Sequence, residues 1–270
     1  MKVSHFALTA AIAAFINGPQ AFAHLTYGGR DFGTLVEGAS ATTIATQTLS
    51  SSFGWADATD SDWGDSHRGR FFRFTLTSTT SVSITAQRNL LGTGANGVLL
   101  PGISLFSGLG TISPEAAGHD TSALSLASRP GTTEGSFRST ANWSLGNDPT
   151  YNTPGDPLSG ILYAARLANF TFVGYAVDGT SANFGAEPGI VGDGVADGYV
   201  NGYFADLPAG DYSFFVGGAN YDAQLSEVPT YPTYGVTVSV QAIPEPGTYA
   251  LGMGAATLGA MLVRRRRNRR

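Results

Sequence analysis

The 270-residue chain contains no cysteine, so no disulfide can staple it and no thiolate can serve as nucleophile or soft metal ligand. Lysine is almost missing: Lys2 is the only one. Six of the fourteen arginines crowd into the last seven positions, which leaves eight basic residues for the stretch between the termini. All twenty acids fall between Asp31 and Glu245, so that stretch carries a formal −12 although the whole chain shows −5. Such a charge excludes nucleic acid and anionic headgroups as partners, because both require basic patches. Helical periodicity is nearly absent as well, which excludes a bundle and leaves stability to a core built from strands.

What is present is glycine, hydroxyl residues and aromatics. Glycine stands at 36 of 270, nearly twice the usual ~7%. Apolar and polar residues alternate with period two. Phe72, Phe74 and Leu76 alternate with Arg73, Thr75 and Thr77, and the pattern resumes at Val82, Ile84 and Ala86. These predict two antiparallel strands joined by a tight connection. Ile103 with Leu105, Phe170 with Phe172 and Gly174–Val177, Tyr212 with Phe214 and Val216, and Val236 with Val238 and Val240 predict further strands. Leu207-Pro208-Ala209-Gly210-Asp211 reads as a turn. The stretches 111–160 and 184–202, rich in Gly, Pro, Ser and Asp, read as long loops, and Trp143 has no obvious strand around it. The fold class expected is all-β: an antiparallel β-sandwich, jelly-roll-like, spanning residues 24–242.

Both ends carry an export address. Residues 1–23 read as a signal peptide: Lys2, an apolar run from Phe6 to Ile16, a break at Asn17-Gly18-Pro19, and Ala21-Phe22-Ala23 at the cleavage position. The mature chain would begin at His24. Residues 243–270 open with Pro244-Glu245-Pro246-Gly247, continue through fifteen uncharged residues from Tyr249 to Val263, and end in the arginine cluster Arg264, Arg265, Arg266, Arg267, Arg269 and Arg270. Fifteen helical residues reach roughly 22 Å against a bilayer core of about 30 Å. The arginines snorkel and resist translocation, which holds them on the cytoplasmic side. This three-part tail resembles the PEP-CTERM sorting signal of exported bacterial proteins. The resemblance covers about a tenth of the chain. It implies a C-terminal transmembrane helix, processing by an exosortase, a transient stay in the inner membrane, and delivery to the cell surface or an exopolysaccharide-rich matrix. It describes trafficking, not what the delivered part does.

Candidate chemistry lies in three places. Asp57, Asp60, Asp62 and Asp65 fall within nine residues, flanked by Trp55 and Trp63. Closely spaced carboxylates suit calcium, which takes six to eight oxygen ligands, although the spacing is not that of an EF-hand. The same residues also suit a loop of Asx-turns, and the tryptophans suit either a sugar face or the core. Asp178, Asp193 and Asp197 form a second acidic region open to the same two readings. A free amine at His24, with its imidazole and His67 or His119, would give a three-nitrogen copper chelate. That arrangement resembles the histidine brace of lytic polysaccharide monooxygenases. No Gly-x-Ser-x-Gly elbow appears, and Gly92-Thr-Gly94-Ala-Asn-Gly97 echoes a dinucleotide fingerprint without a helix after it.

The sequence thus predicts a non-enzymatic exported protein, structural or binding, in a polysaccharide-rich envelope, with exosortase and export machinery as partners and calcium as the one candidate cofactor. The alternative is a carbohydrate-active protein, either a sugar-binding module or a copper oxidase. Aromatic residues gathered on one exposed face would favour sugar binding.

Overall fold

The computed structural model describes residues 25–55, 63–90, 99–110, 135–146, 167–180, 189–220, 224–227 and 230–244. These form an all-β fold of two main sheets and a short two-stranded ribbon, with one four-residue helix, α1 (Gln224–Glu227). The first sheet has six strands in the order β1 (Asp31–Thr34), β4 (Arg70–Leu76), β11 (Gly210–Gly218), β6 (Pro101–Ser107), β9 (Leu167–Val177) and β8 (Trp143–Gly146). Its pairings are antiparallel except β1 with β4. The second sheet has four strands, all antiparallel, in the order β10 (Tyr199–Leu207), β5 (Thr80–Asn89), β12 (Tyr234–Ile243) and β2 (Thr42–Leu49). The ribbon pairs β3 (Trp63–Asp65) with β7 (Ser136–Arg138).

Two apolar layers hold the sheets. Between the main sheets lie Phe72, Phe74, Phe214, Ile84, Val236 and Val238, all almost fully buried. Phe72 and Phe214 stack there at 5.1 Å. The opposite face of the six-stranded sheet is covered too. Phe71, Phe106 and Phe215 meet Phe137, Trp143, Phe170 and Trp55 in a second cluster. This explains why β6 and β11 show near-continuous burial, whereas β5 and β12 alternate. A strand covered on both sides has no solvent side to keep polar. Burying one such aromatic side chain contributes about 1.5–3 kcal/mol.

The predicted hairpin is corrected. β4 and β5 do not pair; residues 77–79 carry the chain from the six-stranded sheet to the four-stranded one. Pro208 and Ala209 do the same between β10 and β11. The reason is physical. Two consecutive strands with apolar sides Phe72/Phe74/Leu76 and Val82/Ile84/Ala86 can share one sheet or face each other across a core, and period-two alternation is the same in both cases. Trp143, expected in a loop, starts β8 and packs on Phe170 at 4.2 Å. The expected loop over 184–202 gives way to β10 at Tyr199.

Candidate functional site

The four-stranded sheet turns its inner positions to the core and leaves its outer face open. Along β10, Val200 and Phe204 point inward while Tyr199, Asn201 and Tyr203 point outward. Gly202 holds the inner position between them, and a Cβ there would come within 2.7 Å of the Phe204 ring. Register then sets the outer face in rows. Tyr199 lies beside Gln87, and Gln87 beside Thr237. Asn201, Thr85, Ser239 and Thr43 form the next row, and Tyr203, Ser83 and Gln241 the third. The rows are about 6.7 Å apart and neighbouring strands about 4.8 Å.

This surface is polar yet uncharged. Every side chain in the three rows is a hydroxyl, an amide or a tyrosine. Ser83 Oγ donates to Asn201 Oδ1 at 2.7 Å, the Thr43 and Ser239 hydroxyls meet at 2.8 Å, and Asn89 Nδ2 donates to Thr237 Oγ1 at 3.0 Å. Tyr203 is 59% exposed and Tyr199 39%. The two rings sit two rows apart on one edge strand, about 13 Å along it. Neither tyrosine was singled out by sequence. The signal that could have found them is Tyr199-x-Asn201-x-Tyr203, an outward aromatic pair on a strand whose other side is apolar.

A structured acidic loop feeds this edge. Asp178 is buried at the end of β9; its Oδ1 accepts the Asp197 amide at 3.1 Å and its Oδ2 the Gly198 amide at 2.6 Å. Gly198, at φ +84°, makes the turn into Tyr199. Asp197 Oδ1 accepts the Tyr199 amide at 3.0 Å, and Asp193 Oδ1 accepts the amides of Val195 and Gly179. Burial, opposed by the two amides and reinforced by the charges of Asp193 and Asp197, leaves the Asp178 pKa raised to about 6. The three carboxylates that sequence placed together are thus together in space, each spent on backbone donors.

The other predicted residues divide. Asp57, Asp60, Asp62, His24, His119, Glu245, Pro246, Arg264, Arg265, Arg266 and Arg267 lie outside the described residues, as does the span 249–263. Asp65 Oδ1 takes the His67 amide and Nδ1, both at 2.8 Å, and its Oδ2 lies 3.2 Å from Arg68 Nε. Burial pushes the Asp65 carboxyl up, but His67 and Arg68 outweigh it and leave it below the usual carboxylate range. Trp55 is fully buried, its ring against Gly102. Pro244 lies beside Gly38. Among the described residues, no three His, Asp or Glu side chains are grouped to hold a metal ion. Among them, too, no helix is long and apolar enough to cross a membrane.

No family model and no curated protein matches the chain. Among solved structures it is similar to CorA of Methylomicrobium album BG8, a surface-associated copper-binding protein important in copper acquisition. That match has 17% identity over 78% of this chain and 97% of the other, with a TM-score of 0.48. It is also similar to the secreted protein MopE of Methylococcus capsulatus, in which an oxidized tryptophan facilitates copper binding. There the identity is 18% over 79% of this chain and 87% of the other, with a TM-score of 0.42.

Proposed function

We propose that this chain is an exported envelope protein that works by binding, and that its binding surface is the outer face of the four-stranded sheet. One observation carries the reading: the three uncharged rows with two exposed tyrosines at their edge. A solvent-facing sheet in a stretch of formal −12 would ordinarily carry charge, which keeps such faces soluble and unattached. Here the charges lie elsewhere. Tyrosine combines a flat apolar ring with a hydroxyl, and it suits surfaces that are alternately wet and covered. The two termini support the rest. A signal peptide over 1–23 starts translocation, and the tail over 243–270, with Pro244, Glu245 and Pro246, hands the protein to an exosortase. The crossings at 77–79 and 208–209 support jelly-roll-like connectivity for the sandwich between them.

The test is retention at the cell surface. The protein should remain with washed producer cells, and Tyr199→Ala with Tyr203→Ala should move most of it to the medium without lowering its melting temperature. Equal retention of the double variant would remove this face as the binding surface.

A further inference from the structure

We infer that the ligand of this face is an uncharged polysaccharide, laid across the rows with two of its sugar rings packed on Tyr199 and Tyr203. The inference rests on the binding role proposed above and names its ligand class. Three features of the face select that class.

The first is chemical likeness. A neutral sugar ring offers hydroxyls around its rim and a patch of C–H groups on its face. The rows offer hydroxyl and amide partners in Gln87, Thr85, Asn201, Ser239 and Gln241, which both donate and accept. The tyrosines offer the flat apolar partner for the C–H patch. The second is charge. An anionic polymer would meet no arginine or lysine in the rows and a surrounding body of formal −12, so its approach is opposed. A cationic or peptide ligand would look for carboxylates or apolar pockets, and the rows contain neither. The third is shape. Rows spaced regularly across antiparallel strands make a broad open platform rather than a closed pocket, and the tyrosines stand about 13 Å apart. Two separate rings of one chain can therefore be engaged together, which multiplies weak contacts through effective concentration.

Affinity gel electrophoresis of the exported protein isolated from producing cells tests this. The gels contain hydroxyethylcellulose, dextran or galactomannan as neutral polymers and alginate as the anionic one. At least one neutral polymer should retard the protein, and alginate should not. Tyr203→Ala should weaken retardation by about three- to tenfold, the range expected for one aromatic contact. Asn201→Asp keeps the acceptor for Ser83 Oγ and puts a charge in the middle row; it should weaken binding while melting as the parent does. Raising salt about tenfold should leave neutral binding nearly unchanged, because no ion pair carries it. Retardation by alginate alone, abolition by salt, or indifference to both variants would overturn the inference. If no neutral polymer binds but the tyrosine variants are still shed from cells, the ligand class is wrong and the binding role stands. If the variants also stay on cells, both fall.

Discussion

Glu227 is the residue whose removal should cost most for its size. It sits buried on α1, where its Oε2 accepts the Ser52 amide at 2.8 Å and its Oε1 accepts the Ser52 hydroxyl at 2.7 Å and the Tyr234 hydroxyl at 2.5 Å. The bonds tie α1 to the loop after β2 and to the first residue of β12. Burial, reinforced by the Glu227 bond and charge, pushes the Tyr234 phenol up to about 12, so it stays a donor at any physiological pH. Glu227→Ala would leave the Ser52 and Tyr234 donors buried without an acceptor, at about 1–3 kcal/mol for each orphaned group. We expect urea denaturation to show a loss of roughly 2–5 kcal/mol, with Glu227→Gln losing less because its amide oxygen keeps part of the acceptor role. A Glu227→Ala midpoint equal to the parent's would mean that the clamp contributes nothing.

At the scale of elements, the junction between β9 and β10 links titration to stability. The folded-state pKa of Asp178, about 6, lies above its ordinary value of 3.8. Over that window the native state holds a proton that the unfolded chain has released. The stabilisation is therefore full below the lower value and is lost as pH rises through the upper one. Melting temperature should fall between about pH 4 and about pH 6, and Asp178→Asn should flatten the fall. Parallel profiles for the two proteins would assign the effect to general repulsion among acids instead. Asp31 and Asp65 act in a different, more acid window. Burial raises both, but Arg73 with the Gly33 amide for Asp31, and His67 with Arg68 for Asp65, leave each below 3.8. Their contribution is present above that value and lost as pH falls through the folded one.

For the molecule as a whole, the position of β12 decides what can be cut. It lies inside the four-stranded sheet between β5 and β2, gives Val236, Val238 and Val240 to the core, and ends at Ile243. The proposed sorting motif begins at the next residue. A chain ending at Pro244 keeps every described strand, so it should melt cooperatively at the temperature of the longer protein. A chain ending at Thr233 loses an interior strand, orphans the facing hydrogen bonds of β5 and β2, and should give a disordered circular dichroism spectrum. A chain ending at Thr233 that still folds cooperatively would be inconsistent with the sheet order.

The sequence alone determined the fold class and, for β4, β5, β6, β11 and β12, the side that meets the sandwich core. Both are local, because period-two alternation reports which side of a strand meets the core. β2 was less legible, because Thr42–Leu49 is mostly exposed and its threonines show no apolar alternation. Only the tertiary structure decided that β4 and β5 face each other across the core rather than pairing. It also decided that Tyr199, Gln87 and Thr237 share a row, though more than a hundred residues separate the first two. Strand pairing is a long-range competition settled by the packing of both sheets together, and local alternation is the same for every winner.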